Sequence, residues 1–411
     1  MDNLDELVEK AMRLNISLHK LREFFPVLNE NEAALIRAKM LERKTGLKLE
    51  KVSSASLDFN ELVGRNIENP IGGVTIPIGV VGPLLVNGSV AKGEVYLPLG
   101  TTEGALVAST NRGARATHIC GGITVASIKD EMTRAPLFKT SSIVESLKVK
   151  EWIKNNFSEL QKAVKSVTAH GRLVKAECFF AGNNLFVRLS YSTGDAMGMN
   201  MATIASERVC RIIEEQTGAT LVALSGNMCS DKKPAFVNTL LGRGKTVVAE
   251  ATIKRKVVIE ILKTTPEKVV ETNVRKNLLG SGLAGSFAQN AHFANIIAAS
   301  FIAMGQDVAQ TVESSQGFCF AELRGSDLYF SVTLPSLEVG TIGGGTGIEA
   351  QRQLIGLTGA LNAPEGMRSK WLSEVIAAGV LSGELSLLAA IASNQLAESH
   401  SKLGRRRQTK S

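Results

Sequence analysis

Glycine in this chain stands in tight clusters, at Gly72-Gly73, Gly121-Gly122 and Gly343-Gly344-Gly345, and not in a flexible linker. Clustered glycine permits positive φ and lets backbone come close to another backbone or to a ligand. A fold with such positions turns sharply at fixed places and can bring bare backbone against a bound molecule. The chain has 411 residues, room for two or three domains at roughly 100–200 residues each. No GxGxxG run stands between a strand pattern and a helix pattern, so a standard Rossmann dinucleotide fold is not expected.

Residues 1–47 are charged, with apolar residues at helical spacing (Leu4, Leu7, Ala11, Leu14) and a second helix over 31–45 stopped by Gly46. Residues 67–84 alternate Gly, Pro and β-branched residues and read as short strands and turns, with a further strand at 90–97. A helix follows over 105–120, ended by Gly121-Gly122. Between 142 and 225 the pattern alternates: helix at 142–164, strands at 173–180 and 185–191, and a turn at Thr193-Gly194-Asp195. A helix to Gly218 and a strand at 220–224 complete it. That alternation predicts a compact α+β insert. The remainder reads as helix-rich. One long buried helix is expected over 286–312, a strand at 326–333, and two helices with a basic tail in the last forty residues. The apolar stretch 288–304 is interrupted by Gln289, Asn290, His292 and Asn295, so it reads as a buried helix and not as a membrane span. The segment 1–10 is acidic and amphipathic, unlike a signal peptide.

The net charge of +8 suits either simple solubility or an anionic partner. The basic residues are dispersed apart from Lys254-Arg255-Lys256 and Arg405-Arg406-Arg407, and no aromatics are interleaved with them. Anionic small molecules are therefore favoured over nucleic acid. The five cysteines are widely spaced with no CxxC pair, which argues against a disulfide framework and a zinc site and for a reducing, cytoplasmic setting.

Several stretches carry groups fit for chemistry. Ser225 to Pro234 (SGNMCSDKKP) reads either as a solvated surface loop or as a site for a carboxylate and a polarised carbonyl, Lys being a compact charge suited to a developing oxyanion. Glu103, at a strand end and helix start, reads as a capping acid or as a general acid. A helix dipole lowers a carboxyl pKa while acid catalysis needs it raised, so a second carboxylate nearby is wanted. Asp307, expected inside an apolar helix, is a candidate and should have a partner. Asp195 to Met201 puts Gly198 and three methionines at a helix start, where phosphates bind, although Met stripes more often belong to a core. Gly340 to Thr346 is a glycine-rich loop of the kind that approaches pyrophosphate. His400 stands near the end of the last helix, where the imidazolium is favoured; alone it reads as an exposed cap. No motif makes His19, His118, His170 or His292 a ligand.

Taken together and in order, these stretches resemble one family, the 3-hydroxy-3-methylglutaryl-coenzyme A (HMG-CoA) reductases. The matching segments are ENPIGGVTIPIGVVGPL (68–84), TTEGALVASTNRG (101–113), MTRAP (132–136), STGDAMGMNM (192–201) and SGNMCSDKKPA (225–235). NAHFANIIAASFIAMGQD (290–307), GTIGGGT (340–346) and SHSKLG (399–404) complete the series. They look like the biosynthetic, archaeal-like form of the family, without the membrane segment of the animal enzymes.

The resemblance implies an α+β fold. A large helix-rich domain (67–135 with 225–411) would be built around a long central helix. It would carry an inserted ferredoxin-like cofactor domain (136–224) and a small helical N-terminal domain (1–66). It implies reduction of the thioester to mevalonate and free coenzyme A with NADPH in preference to NADH, and no metal. Glu103 would protonate the aldehyde carbonyl, Lys232 would stabilise the oxyanion, Asp307 would sit beside both and hold the Glu103 pKa up, and His400 would protonate the departing thiolate. Arg134, Ser225, Lys233, Lys276 and Asn295 would contact the hydroxymethylglutaryl part or order the site; Ser109 and Arg112 would face coenzyme A or a partner subunit. Asp195, Met197, Gly198, Asn200 and the loop with Gly343, Gly344, Gly345 and Thr346 would hold the cofactor. The active site would lie at the interface of a homodimer or dimer of dimers, with Glu103 and Lys232 from different subunits, and with no nucleic-acid or membrane partner.

Two departures bear on this. Where animal members have a Ser-Arg pair suited to a 2′-phosphate, this chain reads Ala169-His170-Gly171-Arg172, leaving His170 or Arg172 for that task. Arg406 or Arg407 stands near the place of a regulatory serine, so phosphorylation there is not expected. The competing readings are NAD-dependent mevalonate oxidation by the same residues, a basic nucleic-acid-binding protein, and an acyl-CoA-binding protein with dead chemistry. The last is opposed by Glu103, Lys232, Asp307 and His400 standing together.

Overall fold

A computed structural model describes residues 4–28, 30–50, 59–67 and 74–393. The helices Leu4–Arg13 and Glu30–Thr45 pack through Val8, Ala11, Ile36 and Met40 into a core of their own. Two larger cores lie beyond it in the chain, and one strand belongs to the sheets that cover both.

The first sheet begins as a hairpin of β1 (Ile78–Gly88) and β2 (Lys92–Gly100). Its turn is pinned by Glu374, which accepts the N–H groups of Val90 and Ala91 at 3.0 and 2.8 Å. The start of β3 (Ile123–Arg134) runs parallel to the end of β1. Across the chain, β3 pairs antiparallel with β8 (Gly244–Ile253), β8 with β10 (Asp327–Leu337), and β10 with β9 (Phe318–Arg324). Among the described residues the large unit thus carries six strands beside its helices; the sequence predicts strands near β1, β2 and β10 but not β3, β8 or β9. The β8 residues alternate buried and half-buried, the mark of a strand with one face on a core.

The second sheet uses the other end of β3, which pairs with β6 (Asn184–Ser192). The remaining strands are β4 (Leu137–Lys139), β5 (Arg172–Ala181) and β7 (Thr220–Ala223), giving the order β7-β4-β6-β5 with antiparallel neighbours throughout. Helices Ile143–Asn155 and Phe157–Lys165 lie between β4 and β5, and Met199–Thr217 lies between β6 and β7. These elements share a core of Phe138, Ile153, Leu160, Leu189, Tyr191 and Val209.

The helix Arg368–Ala392 runs through the first core. It is long and apolar enough to cross a membrane by length and composition, but 83% of that stretch is buried within the fold. Glu374 and Glu384 are fully buried in it, each bonded to backbone N–H groups. The helix Leu106–Ile119 crosses it so closely that a Cβ on Gly113 would stand 1.8 Å from the Ser382 carbonyl oxygen. Only glycine fits that crossing.

Two expectations about helices are corrected. Residues 286–312 are not one helix: a helix spans Phe293–Ala303, Gly305 turns the chain at φ +63°, and short 3₁₀ and α turns come next. The turn is forced by packing, since a Cβ on Gly305 would meet the Gly345 carbonyl oxygen at 2.4 Å. The long central helix is instead Arg368–Ala392, the first of the two helices expected in the last forty residues; the stretch of the second and the basic tail, beyond residue 393, lies outside the described residues.

Candidate active site

Asp307 therefore stands outside a helix, as the cap of the 3₁₀ turn Val308–Gln310, its Oδ1 accepting the Ala309 N–H at 3.1 Å. Its other oxygen meets Lys232 Nζ at 2.9 Å. Both side chains are partly open, 45% and 36% exposed, so an incoming molecule can reach the ammonium. The hydrogen bond to Asp307 holds the Lys232 ammonium above the usual lysine range, and it stays charged at neutral pH.

The loop bearing Lys232 has an unusual backbone. Asn227, Ser230 and Lys232 have φ of +65°, +49° and +59°, a region costly for residues with a Cβ. Buried polar groups offset that cost. Arg188, from β6, donates from Nε to the Met228 carbonyl at 3.2 Å. Asn238 Nδ2 donates to the carbonyls of Cys229 and Ser230 at 3.2 and 3.3 Å. The Asp231 carboxylate accepts from Arg243 and Gln310 at 3.0 Å each and pairs with Arg134 at 3.5 Å. Burial works against the Asp231 charge, but Arg243 and then Gln310, Arg134 and Lys232 hold its pKa below the ordinary carboxylate value. Lys233 Nζ donates to the Asp231 carbonyl at 2.8 Å, and Ser225 Oγ lies 3.5 Å from Cys229 Sγ.

Behind the loop, Asp231, Glu313 and Glu338 converge as three carboxylates that could ligate a cation. The guanidinium of Arg243 fills their centre, 2.6 Å from both Glu338 oxygens and 3.2 Å from Glu313. Burial pushes the Glu338 carboxyl well up and that of Glu313 up to about 7. The Glu313 carboxylate also accepts the Lys232 backbone N–H. Arg243, Glu313, Glu338, Gln310 and Arg188 escape sequence reasoning; their one signal is charge and amide among apolar residues, which demands buried partners.

Glu103 occupies an exposed turn after β2, its N–H bonded to Thr101 Oγ1 at 3.0 Å. Its carboxylate accepts from Asn295 Nδ2 at 3.1 and 3.2 Å. Among the described residues, no hydrogen bond or ion pair joins Glu103 to Lys232 or to Asp307, so within one chain Asp307 is brought to Lys232 and not to Glu103. Asn295 and Lys276 are tied together from beneath. Glu384 accepts the N–H groups of Ala291 and His292, at the start of the helix bearing Asn295, at 2.6 and 3.0 Å. It also accepts from Asn277 at 3.2 Å, and Asn277 in turn accepts from Lys276 Nζ at 3.1 Å. Lys276 lies in a π-helical stretch, Asn273–Gly280, a form frequent at functional sites. Burial raises the Glu384 carboxyl pKa. Ser109 and Arg112 project from the helix Leu106–Ile119 onto Ser386 of the central helix, at 2.9 Å from Ser109 Oγ and 3.0 Å from Arg112 Nε. Burial lowers the Arg112 pKa.

The two stretches expected to hold a dinucleotide lie against each other. Ala196 forms a bridge with Ile342, and the Thr341 N–H donates to the Asp195 carbonyl at 2.8 Å. A Cβ on Gly340 would stand 2.4 Å from the Met197 nitrogen, so the close pass requires glycine. Gly198 turns at φ +94° to start the helix that carries Asn200. Gly343 and Gly344 have φ of +86° and +56° and open space where a Cβ would stand, so a phosphate can come directly onto their backbone. Thr346 Oγ1 closes this turn on the Gly343 carbonyl at 2.7 Å, and Gly345 packs on Gly305. The Asp195 carboxylate is engaged elsewhere: it accepts the N–H groups of Gly366 and Ser369, at the head of the central helix, at 2.7 and 3.1 Å. Gln306, next to Asp307, donates to the Gly340 carbonyl at 3.0 Å and accepts its N–H at 2.9 Å, which fixes the glycine loop beside the Lys232–Asp307 pair. His400 and the segment 68–73 lie outside the described residues.

Comparison with known proteins gives a consistent picture. Residues 33–405 match the family model described as hydroxymethylglutaryl-coenzyme A reductase. The chain is 56% identical over 406 residues to the 3-hydroxy-3-methylglutaryl-coenzyme A reductase of Aeropyrum pernix, covering 98% of this chain and 96% of that protein. It is 51% identical over 408 residues to the Pyrococcus abyssi protein of the same name (98% and 100% covered). With reductase 1 of Hevea brasiliensis it shares 45% identity over 382 residues, 91% of this chain and 66% of that one. The fold is similar to that of the class II reductase of Streptococcus pneumoniae bound to NADPH in open conformations. The TM-score is 0.68 at 20% identity, covering 89% and 88% of the two chains.

Proposed function

The chain belongs to the hydroxymethylglutaryl-coenzyme A reductase family of oxidoreductases, and from that premise we propose that it reduces (S)-HMG-CoA to (R)-mevalonate and free coenzyme A, consuming two NADPH in the cytoplasm. The observation that carries this reading is the charged Lys232, held 2.9 Å from Asp307 and still partly exposed, on a loop that Gln306 and Asp307 connect to the glycine turn.

Reduced nicotinamide supplies hydride to a carbonyl carbon. Each addition places negative charge on the carbonyl oxygen, and a fixed ammonium lowers that barrier. Lys232 fills this role, and Asp307 orients it. His400 gives a proton to the departing thiolate, and Glu103, oriented by Asn295, gives one to the aldehyde oxygen in the second stage. Arg134, Ser225, Lys233, Lys276 and Asn295 receive the hydroxymethylglutaryl part, its carboxylate calling for the cations. Ser109 and Arg112 serve the coenzyme A side. The small α+β unit, ferredoxin-like in its strand order, holds the dinucleotide with Asp195, Met197, Gly198, Asn200 and the loop Gly343, Gly344, Gly345 and Thr346. The bare backbone of Gly343 and Gly344 suits its phosphates. The working form is a dimer or dimer of dimers in which Glu103 and Lys232 of one site come from different subunits.

Purified protein with HMG-CoA and either NADPH or NADH, monitored at the reduced-nicotinamide absorbance, tests this. Two NADPH oxidised per coenzyme A released is the expected result. A strong preference for NADH would move the protein to degradative mevalonate oxidation, and no oxidation with either by folded protein would overturn the reading.

A further inference from the structure

We propose that Glu313 is a positioning residue for Lys232, receiving its backbone N–H and so fixing the loop in the form that presents the ammonium to Asp307; this rests on the reading of Lys232 as the oxyanion-stabilising group. The other holds on the loop all act before Lys232. Arg188 reaches Met228, Asn238 reaches Cys229 and Ser230, and Arg243 with Gln310 reaches Asp231. Lys232 itself has φ +59°, and Glu313 is the acceptor for its N–H. Without that acceptor, the residue would relax toward the favoured negative-φ region and its side chain would leave Asp307.

Glu313 also lies 3.2 Å from Arg243, but that guanidinium does not depend on it for charge balance. Arg243 already has both Glu338 oxygens at 2.6 Å and Asp231 at 3.0 Å. Glu313 is fully buried, and its Oε2 has no hydrogen-bond partner among the described residues. A carboxyl pushed up to about 7 by burial is only partly charged near neutrality, yet either form still offers an oxygen to the Lys232 N–H. The acceptor atom matters, and the charge does not.

This separates two substitutions. Glu313→Gln keeps an acceptor oxygen, whereas Glu313→Met fills a similar volume without one. The first measurement is the rate at which Lys232 reacts with an amine-acylating reagent near pH 8, read by peptide mass spectrometry against the exposed Lys256. Loss of Asp307 frees the amine, so Glu313→Met should label Lys232 several-fold faster than wild type, with Glu313→Gln close to wild type. The second is steady-state reduction of HMG-CoA. Here Glu313→Met should lower kcat about 10–100-fold with little change in the KM for nicotinamide, and Glu313→Gln should retain most of it. Glu313→Ala replaces Met if the latter does not fold. Equal labelling of Lys232 in all variants overturns the proposal, as does equal damage by Gln and Met. The labelling needs no turnover, so failure of the reductase reading would show as inactive wild type with the labelling contrast intact.

Discussion

The loop that carries Lys232 and the turn that carries Glu103 differ in how they are held. Arg188, Asn238, Arg243, Gln310 and Glu313 grip the first from beneath, and three residues with side chains sit in left-handed backbone. The second is exposed, and Glu103 is joined to the fold through Thr101 and Asn295 alone among the described residues. The cation is thus held by many bonds and the acid by few. A charge that must meet an oxyanion at the moment of its formation acts best when it is already in place. A proton donor needs only hydrogen-bond reach, which can tighten once the substrate is bound.

The largest effect should come from removing the fixed charge. Lys232→Ala should lower kcat about 10²–10³-fold in the NADPH assay with cofactor binding little altered, while an undiminished kcat would take Lys232 out of the chemistry. If the two halves of a site come from two subunits, equal mixing of Lys232→Ala with Glu103→Ala chains should restore about a quarter of wild-type turnover. No recovery in a sample shown to contain hybrids would place both residues in one chain. A smaller loss, about tenfold in kcat, is expected for Asn295→Ala, which leaves the Glu103 turn in place but removes its orienting amide. A loss as large as that from Lys232→Ala would mean that the turn is no looser than the loop.

The smallest effect concerns stability and pH. Burial raises the Glu313 carboxyl from the ordinary 4.5 to about 7. Between those values the folded protein holds a proton that the unfolded chain releases, so this contribution is complete below pH 4.5 and is lost as pH rises through about 7. Asp231, Arg243 and Glu338 face it, and Glu313 in turn helps to raise the Glu338 carboxyl, so the difference reports the coupled group. The Tm of Glu313→Gln relative to wild type should therefore rise by a few degrees between about pH 5 and pH 8. A flat difference would mean that Glu313 is ionised throughout.

The same contrast explains what is legible in the sequence. Glu103 and Lys232 announce themselves by chemistry at turns, Asp307 by its charge among apolar residues, and the strands 172–181 and 184–192 show as the stretches 173–180 and 185–191. Arg243 and its partners do not, because the bond from Arg243 to Glu338 joins residues 95 positions apart and exists only in the packed fold. The strand β8 is hard to read because Lys245 interrupts its buried side, where it pairs with Asp130 at 3.1 Å; Glu250, on the half-buried side, accepts the Tyr329 hydroxyl at 2.6 Å. The central helix is buried on all sides, so it has no polar face from which to read a period. Its two glutamates are the available clue, by the same reasoning that singles out Asp307.

Strand β3 bears on the order in which the molecule is made. Its far end pairs with β6, complete by residue 192, and its start with the earlier β1, while its other edge must wait for β8, which finishes at residue 253. A chain growing from its N-terminus can close the smaller sheet while the larger still lacks the strand that joins β3 to β10. The small unit at one end and β1 at the other would then hold β3 extended, and later synthesis adds β8 to an edge already straightened. A substitution that weakens β6 should accordingly lower the yield of the whole chain, and not only the integrity of the smaller core.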